Sequence, residues 1–373
     1  MKPICSTPVL NAGLSSMTDY KIPTVKELRS ATESGDHKFE VVSLFAGGGG
    51  SSTGYRMAGG KVLAVNEFVP EAVKTYKANW PKTEVLTGDV RKISGQDILD
   101  VIGRKPGQLD ILDGSPPCSA FSTAGSRDKG WGKAKKYSDT SQENVEDLFF
   151  DYIRILRDIR PKVFVAENVS GLAKGVAKGY LNQILRELRA SNYEVSCKIL
   201  DAQWLGVPQK RARTIFVGVR NDLWTDEFKG RLHPAPESDR PTLRQAFEGL
   251  CFTDDDKKKT DISKYATFRE LVKLSKGGQS KKYFQLVKAD PSSVSGCVTA
   301  SSGTSGIACV RHWDNRAFTV SEVKRIMSIP DDYVLTGTYK QQVERLGRMV
   351  APFMMKAVAE NILRLGVLNA DTK

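Results

Sequence analysis

Hydrophobic residues between Glu40 and Arg220 fall in short continuous runs rather than alternating with polar ones. Such runs are typical of parallel strands that are covered on both faces. One further strand is expected to end near Asp89. The runs themselves predict strands at Val41–Ala46, Lys61–Glu67, Leu109–Asp113, Lys162–Glu167, Tyr193–Leu200 and Thr214–Val219.

Helical patterns separate these runs. In the clearest one, Leu148, Tyr152, Leu156 and Ile159 recur at the spacing of one helix face. The predicted helices cover Glu71–Trp80, Leu148–Arg160 and Tyr180–Ala190. Because strand alternates with helix, the sequence predicts an α/β fold with a doubly wound sheet.

The pattern changes outside this region. Residues 1–38 are irregular except for a short helical candidate at Thr24–Ala31. Residues 221–319 are rich in Gly, Ser, Lys and Asp, and their charge run Asp254–Lys259 is predicted to be a solvated loop. Helical periodicity returns in Ser321–Ser328 and Tyr339–Leu365. We therefore predict an N-terminal extension (1–38), a large domain (39–220, completed by 320–373) and a smaller irregular domain (221–319).

Composition narrows the class of protein. Lysine and arginine outnumber the acids by 56 to 43, and a net charge of +13 suits a polyanionic partner such as nucleic acid. No run of 18 apolar residues occurs and the N-terminus does not read as a secretion signal, so a cytoplasmic protein without membrane spans is expected. Six cysteines and three histidines are scattered without Cys-x-x-Cys pairs, which indicates free thiols and no zinc site.

A glycine-rich turn, Phe45–Gly54, follows the first predicted strand. Glycines between a strand and a helix let a ligand approach the backbone closely. The dinucleotide pattern Gly-x-Gly-x-x-Gly fits in no register, so a nicotinamide-dependent dehydrogenase is disfavoured. Glu67 could bind ribose hydroxyls, Asp89 an adenine amino group, and Phe45 an adenine ring or a sulfonium. Three such residues at consecutive strand ends predict an adenosine pocket.

The fourth predicted strand ends in a rigid turn, Gly114-Ser115-Pro116-Pro117-Cys118. Two prolines fix the backbone and place Cys118 at the end of a parallel strand, where open α/β sheets bind ligands. A free thiol there is a candidate nucleophile. Glu167 ends another apolar run, where we expect it to hold a proton. Arg211 and Arg213, two apart on an extended chain, can both face one cleft.

The order of these motifs resembles the cytosine-5 DNA methyltransferases over nearly all of residues 41–365. The matching segments are Phe45–Gly54, Pro117-Cys118, Glu167–Val169, Gln209–Arg213 and Arg316–Glu322. The resemblance implies a Rossmann-like methyltransferase sheet, S-adenosyl-L-methionine as cofactor, and 221–319 as the target recognition domain of a duplex-DNA enzyme.

The resemblance also implies residue roles. Cys118 would attack carbon 6 of a flipped-out cytosine. Glu167 would protonate or hydrogen-bond ring nitrogen 3 and the amino group, and Arg213 would hold the carbonyl oxygen at carbon 2. Arg211 would steady Glu167 or the cysteine turn, Pro117 would shape that turn, and Ser122 would lie near the flipped base, in a basic loop (119–145) that closes over DNA. The implied cofactor contacts are Phe45, Ala46, Gly47, Gly49, Gly50, Glu67, Phe68, Asp89, Val90, Gly114, Pro116, Leu148, Arg348 and Met349.

The sequence departs from the family pattern near its C-terminus. Arg348, in Gly347–Pro352, stands where the family has an asparagine that helps to bind cofactor. In the recognition domain, Val298-Thr299 is the nearest match to the family's Thr-Leu dipeptide. The DNA contacts expected from these motifs are Gln209, Val298, Thr299, Arg311 and Arg316, with His312 and Asn315 as further base-edge candidates.

A single small recognition domain predicts one short DNA site, read by a monomer that a cognate restriction endonuclease could accompany. Two alternatives stay open on the residues alone. A tRNA cytosine-5 methyltransferase would share every cofactor residue. The other alternative is a catalytically weakened DNA-binding regulator, which only Arg348 supports.

Overall fold

The computed structural model describes residues 20–33, 35–117, 135–136, 141–142, 145, 147–173 and 177–369. The predicted nucleophile Cys118, Ser122 and most of the 119–145 loop lie outside these residues. The first elements in chain order are α1 (Val25–Glu33), β1 (Phe39–Leu44), α2 (Gly50–Met57), β2 (Gly60–Glu67), α3 (Pro70–Asn79), β3 (Glu84–Thr87), α4 (Gly95–Ile102) and β4 (Ile111–Gly114).

Two short strands, β5 (Lys135–Lys136) and β6 (Ser141–Gln142), lie within the basic loop. The elements that follow it are α5 (Leu148–Ile159), β7 (Val163–Val169), α6 (Ala177–Ala190), β8 (Tyr193–Asp201) and β9 (Ala212–Arg220). Strands β5 and β6 form a separate antiparallel pair of two residues each. All six apolar runs predicted as strands are strands, with ends that differ by one or two residues in most cases.

Seven strands form one sheet in the order β3-β2-β1-β4-β7-β9-β8. The first five are parallel, as predicted, but β9 runs antiparallel to both β7 and β8. The parallel prediction for Thr214–Val219 was therefore wrong. Only ten residues join β8 to β9, whereas a parallel crossover needs about a dozen or more. As a result β9 begins at the edge where the parallel strands end.

Helices cover both faces of the sheet, as a doubly wound fold requires. On one face Val41, Ile111 and Val165 pack with the helices α2 and α12. On the other face Leu112 and Phe164 pack with α5. The strands are buried on both sides, which explains their continuous apolar sequence.

The C-terminal helices are α10 (Val320–Ile326), α11 (Tyr339–Arg348) and α12 (Pro352–Arg364), the last of which packs against α2. The single helical stretch predicted for Tyr339–Leu365 is broken at Met349–Ala351. Pro352 causes the break, because it disfavours helical backbone in the residue before it and starts a new helix at its own position.

Residues 221–319 contain only short elements: α7 (Leu243–Ala246), α8 (Asp254–Thr260), α9 (Ala266–Lys273), β10 (Val287–Lys288) and β11 (Val310–Arg311). Ile262, Leu271, Leu286 and Ala317 form a small apolar cluster of their own. The loop predicted at Asp254–Lys259 is instead helix α8. Thr253 caps it by accepting a hydrogen bond from the Asp256 amide, and its acids precede its lysines, which suits the helix dipole.

Within the described part of the chain, no helix is both long and apolar enough to cross a bilayer.

Candidate active site

The predicted site residues line one edge of the sheet in a fixed order. Following the strand order, Asp89 comes after β3, Glu67 ends β2, the loop Phe45–Gly50 follows β1, and Gly114 ends β4. Glu167 near the end of β7 and Arg213 near the start of β9 complete the row. The candidate cofactor residues therefore occupy one half of the edge and the candidate catalytic residues occupy the other.

Glu67 is buried beneath the loop Phe45–Gly50, hereafter the glycine loop. Its Oε2 accepts a hydrogen bond from the Gly47 amide at 2.6 Å, and its Oε1 accepts one from the Val69 amide at 2.7 Å. The carboxylate thus holds the loop in place. Each oxygen can accept more than one hydrogen bond, so the predicted contact with ribose hydroxyls remains compatible with these bonds.

The glycines of this loop serve different purposes. Gly47 has a φ of 56° and open space where a side chain would begin, which leaves its backbone accessible to a ligand. A β-carbon on Gly48 would collide with the Met349 side chain, and one on Gly50 would lie 2.2 Å from the Val350 carbonyl. Gly49 has a φ of 92° and lies against the Tyr333 hydroxyl. Gly47 alone faces open space; the other three allow the C-terminal segment to pack closely.

These features fit an adenosine cofactor. Gly47 after β1 and Gly88 after β3 both have positive φ and open space beside their backbones. The Glu67 carboxylate lies between them in the strand order, and Phe45 is partly exposed at the same edge. An open backbone surface next to a fixed carboxylate is the arrangement that a ribose-containing ligand needs.

Other predicted cofactor residues have structural partners. The Asp89 carboxylate pairs with Arg91 at 2.6 Å. Partial burial opposes its ionisation, but the hydrogen bonds and charge of Arg91 outweigh burial and hold the pKa of Asp89 below its ordinary value. Leu148 and Val90 are fully buried in the apolar cluster around α5, and their contacts with the cofactor stay predictions. Phe68 and Ala46 stay candidates, the first half-buried and the second at the glycine loop.

Arg348, which stands where the family has an asparagine, lies in the last turn of α11. Its guanidinium pairs with Glu344 of the same helix, with Nη2 2.9 Å from Oε1. Met349 is buried against Gly48 and supports the glycine loop from behind. A cofactor contact from either residue remains a prediction.

The turn Gly114–Pro117, hereafter the proline loop, is held from both sides. The Ser115 amide donates to the Leu44 carbonyl of β1, and Nδ2 of Asn168 donates to the Pro116 carbonyl at 3.2 Å. Gly114 lies against the Tyr152 ring, where a β-carbon would collide. Pro116 is buried and Pro117 half-buried, so the chain is fixed up to the residue before Cys118.

Glu167 and Arg213 form an ion pair beside this loop. Arg213 Nε lies 2.8 Å from Glu167 Oε1, and both side chains keep a small exposed fraction. The predicted convergence of these two residues is therefore present in the structure. The antiparallel direction of β9 brings Arg213 to the edge where Glu167 ends its strand.

Arg211 is not part of this ion pair. Its guanidinium is buried and donates to the carbonyls of Val298, Gly347 and Met349. Burial, followed by the neighbouring Arg213 guanidinium, lowers the pKa of Arg211 to about 10. These bonds join the sheet edge to two distant segments of chain, and the charge of Glu167 also acts on Arg211. The role of steadying Glu167 or the cysteine turn stays a prediction.

Most of the residues predicted to contact DNA are bonded to other parts of the protein. Gln209 is fully buried and bonded to Val298, itself buried, and to Ile326. Arg311 is buried and donates to the carbonyls of Ser302, Thr304 and Ile307, while His312 is buried beside it. Arg316 pairs with Glu322 at 2.6 Å. Gln209, Val298, Arg311 and His312 are therefore buried among protein partners, and their DNA contacts stay predictions. Thr299 and Asn315 are partly exposed and remain candidates.

One residue of the site was missed by the sequence reasoning. Asp113 is buried at the end of β4, where its carboxylate accepts hydrogen bonds from Ser43, Ser51 and Tyr55. Burial raises the pKa of Asp113 to about 6. The sequence feature that could have identified Asp113 was its position directly before the proline loop.

An open α/β sheet with a buried acid that holds a glycine loop, and a fixed Pro-Pro turn at the same edge, fits an enzyme of the methyltransferase class. The family described as C-5 cytosine-specific DNA methylase matches residues 39–364. The chain therefore belongs to the C-5 cytosine-specific DNA methylase family, whose members use S-adenosyl-L-methionine as methyl donor.

Individual relatives agree with this assignment. The chain is 29% identical to the type II methyltransferase M1.HphI of Haemophilus parahaemolyticus, over 87% of this chain and 86% of the relative. It is 28% identical to M.SacI of Streptomyces achromogenes, over 90% and 95%. A solved DNA modification methyltransferase from an E. coli prophage has the same fold, with a TM-score of 0.69 at 20% identity over 88% of this chain and 99% of that one.

Proposed function

We propose that this enzyme methylates carbon 5 of a flipped-out cytosine in a short, specific duplex DNA sequence, through a covalent bond to Cys118. S-adenosyl-L-methionine, when bound, supplies an electrophilic methyl group. Glu67 and the backbone of Gly47 would hold its ribose side, at the half of the edge next to the proline loop. The remaining chemistry belongs to residues of this chain.

The thiolate of Cys118 adds to carbon 6 of the cytosine ring, and nitrogen 3 takes a proton from Glu167. The electron pair is thereby moved to carbon 5, which becomes the nucleophile that accepts the methyl group. A base then removes the proton from carbon 5, the bond between sulfur and carbon 6 breaks, and Cys118 leaves as a thiolate. Glu167 recovers its proton from nitrogen 3 in the same step.

The Glu167–Arg213 pair is the observation that carries this proposal. Nitrogen 3 and the carbonyl oxygen at carbon 2 are adjacent on the cytosine ring. A carboxyl group and a guanidinium held side by side can bind these two atoms together, and this arrangement stabilises charge that develops on the ring. The proline loop, fixed by Asn168, ends beside the pair, and Cys118 is the next residue along the chain.

A base stacked in a duplex cannot reach this edge, so the cytosine must leave the helix. We propose residues 221–319 as the target recognition domain, because this segment has a small apolar cluster of its own. The curated relatives are type II methyltransferases, which supports a restriction-modification setting with a cognate endonuclease in the bacterial cytoplasm. We propose a monomer as the working form.

The first test measures transfer of labelled methyl from S-adenosyl-L-methionine to duplex DNA and, in parallel, to tRNA. DNA labelling that disappears in Cys118→Ser while cofactor binding persists is the expected result. Labelling of tRNA alone would favour the tRNA enzyme, and parental activity in Cys118→Ser would refute the covalent mechanism. Bisulfite sequencing of DNA from cells that express the chain would then give the methylated sequence.

A further inference from the structure

The buried carboxylate of Asp113 is bound by hydroxyl groups from two elements. Its Oδ2 accepts hydrogen bonds from Ser43 Oγ at 2.5 Å and Ser51 Oγ at 2.7 Å, and its Oδ1 accepts one from the Tyr55 hydroxyl at 3.1 Å. Ser43 lies on β1, directly opposite Asp113 in the sheet. Ser51 and Tyr55 lie on α2, the helix that begins where the glycine loop ends.

This cluster lies between the two loops that the reaction must bring together. The glycine loop leads into α2, so the bonds to Ser51 and Tyr55 fix the direction in which that loop leaves the sheet. The proline loop begins at Gly114, the residue after Asp113, so the same carboxylate fixes its starting point.

An ionised carboxylate in this position is expensive for the fold. Burial raises the pKa of Asp113 to about 6, the hydrogen bonds from Ser43, Ser51 and Tyr55 offset that only in part, and the charge of Glu167 on β7 raises it further. Tyr152 of α5 faces it from the other side of the strand. A buried charge is rarely the most stable choice for a core, and perturbed acids in a cleft are often functional.

We propose that Asp113 is a positioning residue that holds the glycine loop and the proline loop in register, and so sets the distance between the methyl donor and Cys118. This inference rests on the proposed function and deepens it. The ionised carboxylate accepts from all three hydroxyls at once. A protonated carboxyl must donate one hydrogen bond itself, so one of the three hydroxyls has to turn and the register of the loops relaxes.

The test compares Asp113→Asn with the wild type by three readouts. The first is KM for S-adenosyl-L-methionine together with kcat on duplex DNA. The second is release of tritium from cytosine labelled at carbon 5, measured without cofactor, which reports the attack of Cys118 alone. The third is the dependence of kcat on pH between 5 and 8.5.

If Asp113 positions both loops, Asp113→Asn raises KM for the cofactor several-fold, lowers kcat at least tenfold and slows tritium release. The wild type loses activity as the pH falls through about 6, where Asp113 takes a proton, and the variant lacks that part of the profile. Ser51→Ala keeps the carboxylate but removes one donor, so it produces a smaller change in the same direction. It also serves as the test if Asp113→Asn fails to fold.

Asp110→Asn is the matched control. Asp110 precedes the same strand at its opposite end, where it pairs with Lys162. We expect its kinetic constants to stay within twofold of the wild type. Wild-type tritium release and an unchanged pH profile in both Asp113→Asn and Ser51→Ala would overturn the inference. Failure of the wild type to methylate DNA at all would instead refute the proposed function.

Discussion

Arg213 Nε lies 2.8 Å from Glu167 Oε1, across the boundary between the antiparallel strand β9 and the parallel strand β7. This relationship depends on the reversal of chain direction at β9. Had β9 been parallel, its first residues would lie at the opposite edge of the sheet. The reversal therefore places a guanidinium next to the carboxyl group, beside the loop that leads to Cys118.

The pair predicts different consequences for its two members. Glu167→Gln keeps the size of the side chain but cannot deliver a proton, so we expect methyl transfer to fall by about 10²- to 10⁴-fold. Arg213→Lys keeps the charge but loses the planar pair of donors, and we expect a smaller loss of kcat. Binding of S-adenosyl-L-methionine, measured by equilibrium dialysis, should be unchanged in both. Wild-type turnover in Glu167→Gln would exclude it as the proton donor.

Arg211 should behave as a structural residue. Arg211→Met leaves the carbonyls of Val298, Gly347 and Met349 without their buried donor. Removing one partner from such buried groups costs about 3–5 kcal/mol, so the midpoint of urea unfolding should fall markedly. Arg348→Ala is the control, because its pair with Glu344 on one helix contributes about 0.5 kcal/mol. Equal midpoints for the two variants would contradict the structural role of Arg211.

The sheet and the row of strand ends could be predicted from sequence because both follow from local pattern. Continuous apolar runs show where the strands are, and parallel strands bring their ends together whatever the loops do. Gly47, Glu67 and Glu167 were found in this way. The pattern for Gln209, Arg211 and Arg213 was equally clear, yet only Arg213 forms the ion pair with Glu167.

The difference between Arg211 and Arg213 lies in contacts that are distant along the chain. The partners of Arg211 come from residues 298 and 347–349, and no local spacing reveals them. The same is true of Arg311, whose partners bury it within its own loop. By contrast, helix α8 was visible in the sequence: Thr253 and Asp256 form a capping box, which was overlooked because the charges that follow suggested a loop.

Two glycines of the glycine loop should fail in different ways. Gly47→Ala meets open space but must keep a φ of 56°, which costs about 1–2 kcal/mol, and its methyl group enters the space where the cofactor approaches. Gly50→Ala instead collides with the Val350 carbonyl. We expect the first to weaken cofactor binding more than stability, and the second to lower the melting temperature. Dialysis and thermal unfolding together distinguish the two, and identical behaviour would contradict the division of roles.

We expect the ionised carboxylate of Asp113 to support activity but to lower the stability of the fold. The pKa of Asp113 in the folded state is about 6, above the ordinary 3.8. The contribution of this group to the free energy of unfolding is therefore most favourable below about pH 3.8, and it is lost as the pH rises through 6. Above pH 7 the ionised carboxylate lowers the free energy of unfolding by on the order of 3 kcal/mol. In urea unfolding, Asp113→Asn should therefore be more stable than the wild type at pH 8, with the difference shrinking toward pH 5. A variant that is less stable than the wild type at both pH values would show that the charge is not a cost.

The turn Ser280–Leu286 offers the clearest exposed surface for DNA within 221–319. It is closed by hydrogen bonds from the Ser280 amide to the Leu286 carbonyl and from the Leu286 amide to the Tyr283 carbonyl. At its tip Phe284 is 81% exposed, with the exposed Lys281 and Lys282 beside it. A hydrogen-bonded turn that presents an exposed aromatic ring and two exposed lysines suits a phosphate backbone with bases beside it.

Salt dependence separates these contributions to DNA binding. Each lysine that contacts a phosphate adds about 0.9 to the slope of log affinity against log salt, so Lys281→Gln and Lys282→Gln should each lower the slope by about 1. Phe284→Ala should weaken binding by about 1–3 kcal/mol at every salt concentration and leave the slope unchanged, because stacking releases no counterions. Lys105→Gln, in the loop before β4 at the opposite edge of the sheet, should leave both quantities unchanged. If Lys105→Gln and Lys281→Gln changed the slope equally, binding would reflect overall charge, and the turn would have no special part in recognition.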